Sequence, residues 1–206
     1  MKDKNADLHG NAPDKSPVAL LIIDMINDLE FPGGDELEKP ACEAAENIAN
    51  LKRRAKELNI PVIYANDNFG RWRSDFNEVV EHVRTGGVRG ETLANIIKPS
   101  YDDYFVLKPK NSAFYETTLD MLLTYLNVKR LILTGINTDS CVLFTANDAY
   151  LRDLFIHIPS DCVAAIKPTY TTDSLAYMKR VLKADLTPSD QLDLEALKQD
   201  AVEANQ

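Results

Sequence analysis

Three side chains in this sequence could together carry out nucleophilic chemistry: Asp24, Lys108 and Cys141. A thiolate attacks an sp² carbon readily, a neighbouring ammonium favours the ionised thiol, and a carboxylate can take and return the proton. Asp24 ends the apolar run Val18 to Ile23, and Lys108 follows Phe105-Val106-Leu107. Cys141 lies in Gly135-Ile-Asn-Thr-Asp-Ser-Cys-Val142, where a helix start would add positive dipole charge near the sulfur. Each residue also has a plainer use: an aspartate after a strand caps a turn, a lysine is a solvated charge, and a cysteine is a small buried hydrophobe. Their joint placement at strand ends favours the chemistry over those uses.

The elements that must position them alternate along the chain. Val18 to Ile23 is a continuous apolar run, the pattern of a strand covered on both faces. Ile48, Leu51, Ala55 and Leu58 mark a helix from about Glu38 to Leu58, stopping before Ile60-Pro61. Strands follow at Val62 to Ala65, Phe105 to Leu107, Arg130 to Thr134 and Phe155 to Ile158. Between and after them, helices are expected around Leu119 to Leu126, from Thr138 or Asp139 as cap to about Leu151, and from Ser174 to Leu182. Strand and helix in alternation give an α/β fold with a mostly parallel sheet between helical layers, and ligands bind such sheets beyond the carboxyl ends of the strands. The stretch from about 67 to 103 shows no clear element, and a long excursion of that kind is usually functional. Residues 1–16 read as a polar tail, 17–187 as one domain, and 188–206 as a second polar tail or short helix. Its apolar face would be Leu192, Leu194 and Leu197.

Composition narrows the partners. The 206 residues carry 23 Lys and Arg against 32 Asp and Glu, a net charge of −9 that repels phosphate backbones and anionic lipid. Nucleic-acid and membrane partners are therefore not expected, and no apolar run is long enough to span a bilayer. A hydrophobic share of 45% is ample for a core. Neither GxGxxG nor GxxxxGK occurs, so the usual phosphate loops are missing. Three cysteines are too few for a disulfide framework, and an odd number leaves a thiol free or paired outside this chain, which points to a cytoplasmic protein. The partner expected for the thiol chemistry is a small-molecule substrate.

The segments ALLIIDMINDL (19–29), VLKPKNSAF (106–114) and LTGINTDSCVLFTANDA (133–149) resemble those of isochorismatase-like cysteine hydrolases, the superfamily that includes nicotinamidases. The likeness covers roughly residues 17–185. It implies a three-layer α/β/α sandwich, with Cys141 as nucleophile, Asp24 as general base and acid, and Lys108 as electrostatic partner. It also implies a non-proline cis peptide between Ile136 and Asn137, which would turn the Asn137 N–H toward the Cys141 N–H as an oxyanion hole. A homodimer or homotetramer would be in keeping. Lys110 would point to the opposite face of an extended segment from Lys108.

The resemblance breaks at one place. Nicotinamidases carry an Asp-x-His…His metal site after the second strand, whereas Tyr64-Ala-Asn-Asp-Asn-Phe-Gly-Arg-Trp-Arg-Ser-Asp-Phe76 has no histidine. His9, His82 and His157 are scattered, and Asp67 with Asp75 would suit a soft metal poorly. No metal and no cofactor are expected, and nicotinamide, whose ring nitrogen that metal would hold, becomes an unexpected substrate. Phe69, Trp72 and Phe76 could be simple packing or one wall of a substrate pocket, with Arg71 or Arg73 gripping a carboxylate. Phe114 and Tyr115 would close the other side. Asn27 and Asp28 are expected to order their loop, Asp161 to be structural, and His157 to meet a neighbouring carbonyl. Cys42 and Cys162 are expected to be buried and inert.

The leading reading is a cysteine hydrolase that opens a small amide-like C–N bond through a Cys141 thioester. Vinyl-ether hydrolysis is a variant, although in the resembling family that reaction lacks a cysteine at this position. A catalytically idle α/β binding module and a redox-active thiol protein are the alternatives, the latter without a CxxC to support it.

Overall fold

The computed structural model describes residues 15–68 and 75–203. β1 (Val18–Ile23), β2 (Val62–Asp67), β3 (Tyr104–Lys108), β4 (Arg130–Ile136) and β5 (Phe155–His157) form a sheet in the order β3-β2-β1-β4-β5, and β6 (Val163–Ala164) pairs with β4. Every strand pairing is parallel. β1 lies in the middle, hydrogen-bonded on both edges and covered on both faces, so all six of its residues are buried. That is why its sequence is an unbroken apolar run.

Helices cover both faces, completing the α/β/α sandwich. One core holds the inward sides of α1 (Gly34–Glu57), α2 (Phe76–Thr85), α3 (Glu91–Ile96) and α7 (Leu194–Glu203). The other holds α4 (Leu119–Leu126), α5 (Leu143–Tyr150) and α6 (Pro168–Val181). No described helix is long and apolar enough to cross a membrane.

Several boundaries differ from the sequence expectation, each for a local reason. α1 starts at Gly34, after Gly33 in the left-handed region, and runs through Pro40. Its buried stripe of Leu37, Ala41, Ala45 and Ile48 holds the first turns in place despite the proline. The stretch between 67 and 103 contains α2, with Phe76, Val79 and Val83 at helical spacing, and α3. Asp75 caps α2, its carboxylate accepting the Glu78 N–H at 3.0 Å. α6 begins at Pro168, a residue suited to a first helical turn, ahead of Ser174.

The C-terminal segment forms the short helix α7 and packs against α1. Leu192, Leu194 and Leu197 are buried in the α1 core. The Arg54 guanidinium of α1 donates to the carbonyls of Ser189 and Leu192, each at 2.5 Å. Asp161 accepts the Ser189 N–H at 2.7 Å and its hydroxyl at 2.6 Å, and Lys198 Nζ donates to the Leu58 carbonyl. Leu194→Ala is expected to cost about 2–5 kcal/mol of stability, read as a lowered urea midpoint. An unchanged midpoint would mean that the segment is dispensable.

Candidate active site

Three strand ends and one helical turn assemble the site. At the end of β1, Asp24 takes the left-handed conformation, with φ 52°, which turns the chain out of the strand; its N–H still donates to Ala65 O at 2.9 Å. Aspartate tolerates this region better than most residues. Lys108 is the last residue of β3, in register with Asp67 at the end of β2. β4 approaches β1 so closely that a Cβ on Gly135 would lie 2.0 Å from Ile23 O, and Gly135 itself has φ +113°. Glycine is required here. The following peptide, Ile136–Asn137, is cis.

Beyond it the chain makes a π-helical turn, Thr138–Val142, before entering α5. The Ser140 and Val142 N–H groups both donate to Asn137 O, at 3.1 and 3.2 Å. The turn is thus closed by the Asn137 carbonyl, and neither Thr138 nor Asp139 serves as the side-chain cap expected from sequence. Thr145 then joins two segments of the site, donating to Cys141 O at 2.7 Å and accepting the Ala113 N–H at 3.0 Å.

These elements bring the three side chains together. Lys108 Nζ lies 2.8 Å from Asp24 Oδ2 and 3.4 Å from Cys141 Sγ, and donates to Lys110 O at 3.2 Å. The three ammonium hydrogens therefore have three acceptors. Lys108 is 0% exposed and Asp24 5%, while Cys141 is half-buried. The other oxygen of Asp24 accepts the Asp67 N–H at 2.7 Å, and the Asp67 carboxylate stands 3.9 Å from Lys108 Nζ. Ser140 Oγ lies 3.9 Å from Cys141 Sγ.

The electrostatics differ in one respect from the sequence expectation. Burial raises the Asp24 carboxyl above the usual carboxylate range, although Lys108 pulls the other way. Burial, then the Asp24 charge, pushes the Cys141 thiol up to about 12, despite the nearby ammonium. Burial lowers the Lys108 ammonium, but Asp24 and Cys141 outweigh it and the net shift is upward. Burial thus favours the neutral thiol and a more basic carboxyl, while Asp24 favours the charged lysine. The lysine does not by itself ionise the thiol.

Other expected residues fall in several places. Phe69, Arg71, Trp72 and Arg73 lie outside the described residues. Phe76 is buried in the α1 core, its ring 5.0 Å from that of Phe105 and 5.8 Å from that of Tyr64, so its surface is spent on packing. Phe114 is buried in the core under α4, α5 and α6, with the Arg152 guanidinium 4.5 Å over its ring. Asn27 and Asp28 accept the N–H groups of Leu29 and Glu30, ordering their loop. His157 faces Asp185, its Nδ1 3.5 Å from the carboxylate, rather than a carbonyl. Cys162 is fully buried, whereas Cys42 is half-buried, and burial raises both thiols.

Three participants escaped the sequence reading: the Lys110 carbonyl, the Asp67 backbone and the Ser140 hydroxyl. Asp67 had a signal, since it ends the second strand as Lys108 ends the third. Among the described residues, no group of three His, Cys, Asp or Glu side chains could hold a metal ion.

Residues 18–191 match the isochorismatase domain family. The chain is 42% identical over 178 residues to an uncharacterized isochorismatase family protein of Bacillus subtilis (strain 168), covering 86% of this chain and 97% of that protein. It is 30% identical over 173 residues to a probable inactive nicotinamidase of Arabidopsis thaliana, covering 79% and 88%. The crystal structure of N-carbamoylsarcosine amidase from Thermoplasma acidophilum superposes with a TM-score of 0.65 at 29% identity, covering 85% of this chain and 98% of that one.

Lys108→Met would leave the Asp24 carboxylate buried without its counter-charge, at an expected cost of about 3–5 kcal/mol in chemical denaturation. Adding Asp24→Asn should recover most of that loss. If the double variant were as unstable as the single one, the cost would lie in packing rather than in the pair.

Proposed function

This chain belongs to the isochorismatase family, and we propose that within it the protein is a cysteine hydrolase that opens a C–N bond in a small amide-like substrate. The observation that carries the reading is Lys108 Nζ between Asp24 Oδ2 at 2.8 Å and Cys141 Sγ at 3.4 Å. The likeness to an amidase of known fold supports amide chemistry at the level of the family.

In the proposed reaction, the Cys141 S–H proton passes to Asp24 as the sulfur forms a bond to the carbonyl carbon. The carbonyl electron pair moves to oxygen, where the N–H groups of Asn137 and Cys141 would receive it. Collapse of this intermediate breaks the C–N bond, and the leaving nitrogen takes the proton from Asp24. Water then attacks the thioester and gives a proton to Asp24. The second collapse releases the acid, and the departing sulfur takes that proton back. Amide and water become acid and amine, and the site returns to its starting state.

The thiol pushed up to about 12 fits this sequence, because the proton moves during attack rather than before it. Lys108 keeps its charge throughout and offsets the negative charge shared by sulfur and carboxylate. Retention of a thiol at residue 141 favours the amide reading over vinyl-ether hydrolysis. Phe69 and Trp72, with Arg71 or Arg73, remain in this proposal as substrate-binding groups.

A panel of small primary amides and carbamoyl compounds, assayed for ammonia release, tests the proposal. Cys141→Ala and Asp24→Asn should each lower kcat/KM by about 10⁴-fold or more. Wild-type protein that releases no ammonia and forms no acyl adduct on Cys141 by intact mass would refute it.

The acid limb of the pH profile adds a second check. Asp24 must be a carboxylate to accept the thiol proton, and its pKa is raised. Activity should therefore fall with acid at a pH above the usual carboxylate range, and rise to a plateau above that limb. A limb at the ordinary carboxylate value would remove Asp24 as the base.

A further inference from the structure

Two of the three groups that hold Lys108 lie beyond the sheet. Asp24 follows β1 directly, but Lys110 sits in the turn after β3, and Cys141 in the π-helical turn after β4. Strand register alone therefore fixes neither the Lys110 carbonyl nor the sulfur relative to the ammonium. Lys108 Nζ nevertheless meets both, at 3.2 and 3.4 Å.

Hydrogen bonds between the two turns supply the missing constraint. Thr145 and Asp148 stand three residues apart on α5, a spacing that places them on one face of the helix. The Thr145 hydroxyl accepts the Ala113 N–H, and the Asp148 carboxylate accepts the Ser112 hydroxyl at 2.5 Å. Ser112 Oγ in turn accepts the Phe114 N–H at 3.2 Å. Ser112 is buried, so its bond to Asp148 is shielded from competing solvent. The other Asp148 oxygen faces Arg152 Nη1 at 3.3 Å, and the same nitrogen donates to Asp148 O at 2.9 Å. Arg152 thus occupies one carboxylate oxygen and leaves Oδ2 to the serine.

We propose that Ser112 and Asp148 are positioning residues for the reaction: by tying the 110–114 turn to the helix that follows Cys141, they hold the Lys110 carbonyl at Lys108 Nζ and so keep the ammonium at the sulfur. Their effect passes through Lys110 and Lys108. Released from the turn, one buried N–H of Lys108 has no acceptor. The strongest partner left, the Asp24 carboxylate, then draws the ammonium away from the weakly accepting sulfur. The inference rests on the roles proposed above for Lys108 and Cys141, but its first test needs no substrate.

Alkylation of Cys141 by iodoacetamide across the neutral pH range, located by peptide mass mapping, reads the hold of the ammonium on the sulfur. The ammonium favours the thiolate, so Ser112→Ala and Asp148→Ala should each slow alkylation about tenfold. A merely structural role has the opposite sign, because loosening around a half-buried thiol exposes it and speeds the reaction. Asp148→Asn, whose amide oxygen still accepts the serine hydroxyl, should keep most of the wild-type rate. Ser112→Ala with Asp148→Ala should be no slower than either alone, since both remove one bond. On any amide that the wild-type protein hydrolyses, the two alanine variants should lower kcat about tenfold and leave KM nearly unchanged. Circular dichroism confirms that each variant is folded, and Ser112→Ala, which deletes a single oxygen, decides alone if the Asp148 variants do not fold. Alkylation that is unchanged or faster in folded Ser112→Ala overturns the inference. So does a double variant whose loss is the product of the two single losses, or an effect confined to KM. Wild-type protein that hydrolyses no amide would count against the proposed reaction alone, because the alkylation rates decide the positioning role without it.

Discussion

Everything at the strand ends depends on holding one ammonium where water cannot reach it. Lys108 is fully buried, and an isolated buried ammonium would lose its proton or unfold its surroundings. Asp24 prevents this by ion pairing, while Lys110 O and Cys141 Sγ occupy the remaining donor directions. The lysine is then fixed in position, and with it the distance between acid and thiol. The same burial raises the carboxyl and the thiol together. Burial thus makes the carboxyl a stronger base and the thiol a weaker acid on either side of one ammonium.

That pair can exist only because the sheet is parallel and centred on β1. With β2 and β4 on its two sides, the carboxyl ends of three adjacent strands meet around Asp24. Gly135 lets β4 press against Ile23 O, and the π-helical turn that follows carries Cys141 back toward the end of β3. Thr145 fastens the Cys141 carbonyl to the segment that follows Lys108. Scaffold contacts of this kind contribute no chemistry, but they determine which side chains converge.

Much of this was legible in the sequence because the signals were local. Buried parallel strands are written as apolar runs, and a charged residue at the end of such a run stands out, as Asp24 and Lys108 do. What depended on direction or depth was not legible. Phe76 and Phe114 have the composition of a pocket wall, but strand register and helix packing turn both into the cores. The direction of the thiol shift hinges on how deeply the sulfur is buried, which no spacing encodes. A carbonyl such as that of Lys110 carries no sequence signal at all, since every residue has one. The two-residue β6 is too short for periodicity to reveal. The apolar face of Leu192, Leu194 and Leu197 was visible, but nothing local said that Arg54, far earlier in the chain, was waiting to bind the carbonyls beside it.

That last contact has a consequence for how the protein is made. A chain leaves the ribosome from its N-terminus, so the apolar side of α1 emerges well before the residues that cover its outer edge. Until Ser189 and Leu192 appear, Arg54 has no carbonyls to hold and a strip of leucine-lined surface stays uncovered. All six strands are therefore translated while this flank is still open, and the segment around Ser189 and Leu192, not the last strand, is what closes it.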